Sequence, residues 1–159
     1  MQNITNQKED NSALAQIIRA VFIEFDAPKQ GTVYADPTTD DLFSLFQQTP
    51  NAVLWVAESE GEVLGCCGIL PIEGIGNEYV ELVKFYLSDK ARGKGIGKIL
   101  MQKSMNSAKE LGYQGVYLES LPHFVTAIKM YEKDGFQKLK APIGNSIHRS
   151  CDIWMAKVI

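Results

Sequence analysis

Residues 91–100, ARGKGIGKIL, set glycine at 93, 95 and 97 among Arg92, Lys94 and Lys98, and then continue as a helical pattern. Glycine costs about 0.5–1 kcal/mol relative to alanine inside a helix, so the spacing answers a local demand. The stretch before it, through Phe85, Tyr86 and Leu87, reads as a strand. A helix that follows such a turn presents unpaired N–H groups and a partial positive charge at its N-terminus. Glycines remove side chains where an anion approaches the backbone and let successive N–H groups aim at one point. Arg92, Lys94 and Lys98 add charge at the rim. The chemistry this arrangement suits is a phosphate cradle.

Two common cradles fail on inspection. A Walker loop requires Ser or Thr after GK, but Gly97-Lys98 is followed by Ile99. The dinucleotide fingerprint GxGxxG, started at Gly93, meets Lys98 instead of glycine, and started at Gly95 it meets Leu100. The pattern that fits is (Q/R)xxGx(G/A), met by Arg92, Gly95 and Gly97. It is followed at suitable distances by GVYLESL at 115–121 and by AIKMYEKDGF at 127–136, an A-x-x-x-Y-E-K-x-G-F segment. On these residues the chain resembles the GCN5-related N-acetyltransferase (GNAT) superfamily, over roughly residues 77–140. The tail HRSCDIWMAKVI and the LESLP-like segment are similar to a bacterial subgroup of undefined substrate.

The resemblance implies acetyl-coenzyme A as co-substrate, with its pyrophosphate on Arg92, Gly93, Lys94, Gly95, Ile96, Gly97 and Lys98. It implies that the backbone of Phe85, Tyr86 and Leu87 meets the pantetheine arm, on a strand that splays from its neighbour. It makes Glu81 the general base and Tyr131 the acid that protonates the departing thiolate. Alternation along the strand places Glu81 on the face of Val83, Phe85 and Leu87, with Glu78 on the other. Read without the resemblance, Glu81 is equally a solvent-facing carboxylate or a partner of Lys84 or Lys129, and Tyr131 is equally a core residue on the stripe 124, 128, 131. Where many members carry asparagine, three residues before Ala127, this chain has Phe124. His148 and Cys151 are candidates for the acceptor pocket.

The acceptor side is expected in the first two helices, where Glu24, Asp26, Asp36, Asp40 and Asp41 would attract a cationic amine. The reading is therefore acetyl transfer to a primary amine, on a small amine or amino-acid-like acceptor. The competing readings are a CoA-binding regulatory module without turnover and a nucleotide-binding domain. Dimers are frequent in the resembled family.

The rest of the chain must position these groups. It has 159 residues, 45% of them hydrophobic and 22% charged, which suits a single globular domain over 1–159. The net charge of −3 argues against a nucleic-acid partner, and the longest apolar runs are too short for a membrane span. Without a signal-peptide pattern the expected location is cytoplasmic. Three cysteines, Cys66, Cys67 and Cys151, lack metal-ligand spacing, so no metal is expected. Helices are expected over 11–25, 38–48, from the glycine turn to Gly112, and over 124–134. Strands are expected near Ile4 and over 51–58, 62–70, 78–88, 115–121, 136–140 and 150–158. The order βααβββαβαββ describes a mixed sheet with helices on its faces, an α/β (α+β) fold, and the resemblance implies that the sheet is mostly antiparallel.

Overall fold

A computed structural model describes residues 1–145 and 150–159. The strands are β1 (Gln2–Thr5), β2 (Val53–Ser59), β3 (Glu62–Pro71), β4 (Val80–Leu87), β5 (Gly115–Ser120), β6 (Gln137–Lys138) and β7 (Ile153–Val158). The α-helices are α1 (Asn11–Glu24), α2 (Leu42–Gln48), α3 (Ile96–Glu110) and α4 (Val125–Lys133). The strands form one sheet in the order β1-β2-β3-β4-β5-β7-β6. Every neighbouring pair is antiparallel except β4 and β5, which run parallel.

Each face of the sheet carries its own core. Ile96, Leu100, Met101, Met105 and Ala108 of α3 join Ile128 and Tyr131 of α4 over Cys67, Ile69, Val80 and Leu82. On the other side Leu14, Ile18 and Phe22 of α1, with Leu42 and Phe46 of α2, cover Leu54, Val56 and Cys66. Cys66 and Cys67 thus point to opposite faces, as neighbours on a strand must. The β2–β3 hairpin turns at Glu60 and Gly61, both at positive φ (52° and 78°), the pair of angles a two-residue hairpin turn favours.

Several expected boundaries move. The helix expected over 38–48 divides at Asp41, whose φ of −141° and ψ of 63° interrupt it. Aspartates cap both pieces: the Asp36 side chain accepts from Thr38 N ahead of a short 3-10 turn, and the Asp41 side chain accepts from Ser44 N ahead of α2. In α3 the buried stripe runs through Met101 and Met105, whereas Ile99 and Leu111 face solvent. The strand expected over 136–140 pairs only at Gln137 and Lys138, opposite Ala156 and Met155.

Two irregularities in β4 shape the molecule. Against β3, Gly68 pairs with Val83 and Cys66 with Tyr86, so three steps along β4 match two along β3. The extra residue is Lys84, at φ 54°, a bulge that re-aims the strand. Against β5, the ladder holds only at Val80↔Val116 and Glu81↔Tyr117. Beyond those pairs the two parallel strands separate, and the cleft between them opens toward the glycine turn.

Candidate active site

The cleft encloses a cavity of about 430 Å³. One wall is β4 from Glu81 to Leu87, and the other is formed by Glu119, Ser120 and Leu121 at the end of β5 with Ala127, Met130 and Tyr131 of α4. The glycine turn closes one end through Arg92, Gly93, Gly95, Ile96, Gly97 and Lys98. Phe22 and Phe25 of α1 and its C-cap, with Thr32 and Val33, close the opposite side. Of the groups expected to act together, Glu81, Tyr131, the Phe85–Leu87 backbone and most of the glycine turn therefore line one space. Lys94 is exposed outside that lining, and Glu78 is exposed ahead of β4.

The glycines have separate local reasons. Gly93 and Gly95 sit at φ 73° and 77°, left-handed angles that an L side chain rarely adopts, and Gly95 is the N-cap of α3. Gly97 lies inside the helix, where a Cβ would come within 3.0 Å of Leu87 Cδ1 and 3.3 Å of Phe85 Cζ. Its missing side chain lets the first turn of α3 settle against the end of β4. The open backbone at 93–97 and the first amides of α3 suit a phosphate group. Arg92 is already engaged: it donates to Glu24 at 2.5 Å and to the Leu87 carbonyl at 3.2 Å, and lies 5.3 Å from the Phe25 ring centre.

Glu81 is half-buried in the cleft wall. Burial pushes its carboxyl up to about 7, helped by the negative charge of Glu119 and opposed by Lys84. A carboxylate poised there takes up a proton near neutral pH, which is the requirement for a general base. Its face differs from the alternation expected over β4. The Lys84 bulge inserts one residue, so Glu81 shares its side with Val83 and Tyr86, toward α1, whereas Phe85 and Leu87 join the α3 core.

Tyr131 is buried between Phe85 and Phe136, with ring centres 6.0 and 5.9 Å away. Burial raises its phenol well above the ordinary range near 10, so it stays protonated at neutral pH. Phe124, standing where the family pattern has asparagine, packs edge-on against Phe22, Phe25 and Tyr86 at 5.3, 6.0 and 6.4 Å. It fills the space between α4 and α1 with an apolar wedge. Cys151 lines the cavity, but burial lifts its thiol to about 12, which keeps it protonated and poorly nucleophilic. His148 lies outside the described residues.

Of the acids expected to draw in a cationic amine, Asp26 is exposed just after α1, and the other four are engaged elsewhere. Glu24 holds Arg92, Asp40 accepts two hydrogen bonds from Arg19 (2.6 and 2.9 Å), and Asp36 and Asp41 act as helix caps. The carboxylates in the cavity wall are Glu81 and Glu119, the latter accepting from the Tyr117 hydroxyl at 2.9 Å. Glu119 was not singled out from sequence, and Lys84 was named only as a partner for Glu81, whose carboxyl its charge does affect. A glutamate in an otherwise apolar strand and a lysine between valine and phenylalanine were the available signals.

Known proteins resemble the chain in sequence and in fold. The model of the acetyltransferase (GNAT) family matches residues 18–136. The chain is 37% identical over 158 residues to the Escherichia coli (strain K12) protein named uncharacterized N-acetyltransferase YjgM, covering 99% of this chain and 93% of that one. A crystal structure of an acetyltransferase of the GNAT family from Staphylococcus aureus Mu50 superposes with a TM-score of 0.85 at 18% identity, over 99% of this chain and 98% of that one. The structure of yncA from Salmonella typhimurium with its cofactor acetyl-CoA superposes at 0.76, also at 18% identity, over 99% and 93%. At these identities the structural matches establish the fold.

Proposed function

The chain belongs to the acetyltransferase (GNAT) family, and from that premise we propose that it moves an acetyl group from acetyl-CoA directly to a primary amine on a small amine or amino-acid-like acceptor. Residues 1–159 act in this reading as one domain, because one sheet runs from β1 to β7 and carries the whole cleft. No described helix is long and apolar enough to cross a membrane, and the proposed setting is the cytoplasm. The observation that carries the reading is the placement of Glu81, Tyr131 and the glycine turn on one cavity.

The residues fit acetyl-CoA at three points. Left-handed glycines and the start of α3 suit its pyrophosphate, with Lys98 at the rim and Arg92 within reach of it. The β4 edge released from β5 beyond Glu81 offers backbone groups of Phe85, Tyr86 and Leu87 to the amides of the pantetheine arm. The cavity is apolar along α4 where the arm would lie. When bound, acetyl-CoA supplies an acetyl thioester.

Glu81 then takes the proton of the acceptor ammonium, directly or through a water, so that the neutral amine can attack. In this reading a main-chain N–H at the β4 bulge stabilises the oxygen that gains charge. Tyr131 gives its proton to the departing thiolate and is restored, directly or through water, by the second proton that the nitrogen loses as the amide forms. Phe22, Phe25 and Phe124 keep water away from the reacting end.

The test is thermal stability with acetyl-CoA, CoA, ATP or NAD, followed by thiol release with an amine panel. A ligand at a hundred times its dissociation constant adds about 2.7 kcal/mol, or roughly 5–10 °C for a domain of this size. Stabilisation by both CoA species alone, and thiol release that Glu81→Gln abolishes without loss of stabilisation, is the expected result. Stabilisation without turnover on any amine would favour the silent binding module. No stabilisation by millimolar CoA overturns the proposal.

A further inference from the structure

Lys84 is the residue that neither the core nor the transfer just described accounts for. It is the inserted residue of the β4 bulge, at φ 54°, and its relative exposure is 5%. Both features oppose folding, since a left-handed angle disfavours any residue with a Cβ and burial disfavours an ammonium. The core does not call for it. With position 84 left out, Glu81 to Leu87 alternates regularly between the two cores.

The surroundings of Lys84 are mixed. Asp36, from the loop ahead of α2, and Glu81, on its own strand, favour its charged form, and burial disfavours it. Among the described residues, however, Lys84 makes no ion pair and no side-chain hydrogen bond. Asp36 Oδ1 accepts instead from Thr38 N at 2.9 Å and from Thr38 Oγ1 at 2.7 Å. The lysine lines the cavity, and its ammonium is a buried donor with up to three hydrogen bonds to give.

Away from Arg92 and Lys98 of the glycine turn, the described wall of that space carries both signs, Glu81 and Glu119 on one hand and Lys84 on the other. A plain amine or a polyamine would find Glu81 but would bring no acceptor to the Lys84 ammonium. A molecule bearing an acidic group beside its amine satisfies both. We propose that Lys84 binds an acidic group that the acceptor carries next to its amine, which makes the acceptor a zwitterion of the amino-acid class. The inference rests on the transferase reading above and narrows its acceptor. Lys84 is the specificity residue, and the bulge is what turns it into the cleft.

The experiment uses the full chain and the common L-amino acids, each paired with its carboxamide and its decarboxylated amine. Initial rates of thiol release are measured with acetyl-CoA, and thermal stability is measured on protein saturated with CoA. For the best acceptor, kcat/KM should exceed that of its carboxamide by about 10–100-fold, the worth of one charge-assisted hydrogen bond. Lys84→Met keeps the apolar stem and should bring that ratio to within about twofold, mainly through KM for the acid. Preference of the wild type for amides or plain amines overturns the proposal, as does an equal loss on acid and amide in Lys84→Met. If no amino acid is acetylated or stabilises the CoA-saturated protein, the proposal also fails. Stabilisation by CoA itself would in that case leave the transferase reading standing, and its absence would remove both.

Discussion

Arg92 of the glycine turn and Glu24 at the end of α1 form an ion pair at 2.5 Å, joining segments 68 residues apart across the mouth of the cleft. The Arg92 hydrogen bond holds the Glu24 carboxyl below its ordinary range. The same guanidinium stands where a pyrophosphate would be met, so carboxylate and phosphate compete for it. Glu24→Gln should therefore tighten CoA binding by about 2–5-fold, the scale of a half-exposed ion pair. Arg92→Ala should weaken it by about 10–100-fold. Isothermal calorimetry with CoA decides both, and tighter binding on loss of Arg92 would contradict the competition.

Glu81 sets the acid limb of activity. With its carboxyl near 7, kcat/KM should rise about tenfold per pH unit below 7 and level above it. Glu81→Gln should lower kcat by about 10²–10⁴-fold and leave CoA affinity within twofold. Stability moves the other way. A carboxyl whose folded-state value is raised favours the fold below about 4.5, its unfolded value, and loses that contribution as pH rises through 7. Glu81→Gln should thus be more stable than the wild type at pH 8, by on the order of 2 kcal/mol, and nearly equal to it at pH 4.5. Parallel melting curves at the two values measure this.

Tyr131 is raised well above 10, so no alkaline loss of rate from its ionisation should be seen between pH 8 and 10. Tyr131→Phe keeps the packing against Phe85 and Phe136. It should cost about 10²-fold in kcat with little change in melting temperature. A variant as fast as the wild type would assign the ring to the core alone.

Gly95→Ala places a Cβ on a residue at φ 77° with open space around it. The penalty is conformational, about 1–2 kcal/mol, and should lower the melting temperature by roughly 2–8 °C. Gly97→Ala meets Leu87 and Phe85 instead, so its effect should register in the seating of α3 and in CoA affinity together.

Sequence reading recovered the order of all eleven elements and the glycine turn, because each rests on local patterns: periodicity, turn residues and caps. It misplaced the face of Glu81, because alternation was counted straight through Lys84. A bulge is decided by the pairing partner, here the step from Cys66 to Gly68 on β3, and a single strand does not display it. The break at Asp41 was hidden for a similar reason. Thr38, Asp40 and Asp41 all suit the start of a helix, and only the geometry shows two short elements, each capped by an aspartate. Glu119 and Lys84 depend on which residues the cleft brings together across β4 and β5.

The two-rung join between β4 and β5 has a mechanical consequence. The sheet behaves as two plates, β1 to β4 and β5 to β6, hinged at Glu81 and Tyr117 and apart at the other end. Among the described residues, those two rungs, the bond from Gln114 N to the Asn77 carbonyl and the helices packed on both faces resist shear between the plates. A ligand lying along the open edge of β4 would add rungs to that join and stiffen it.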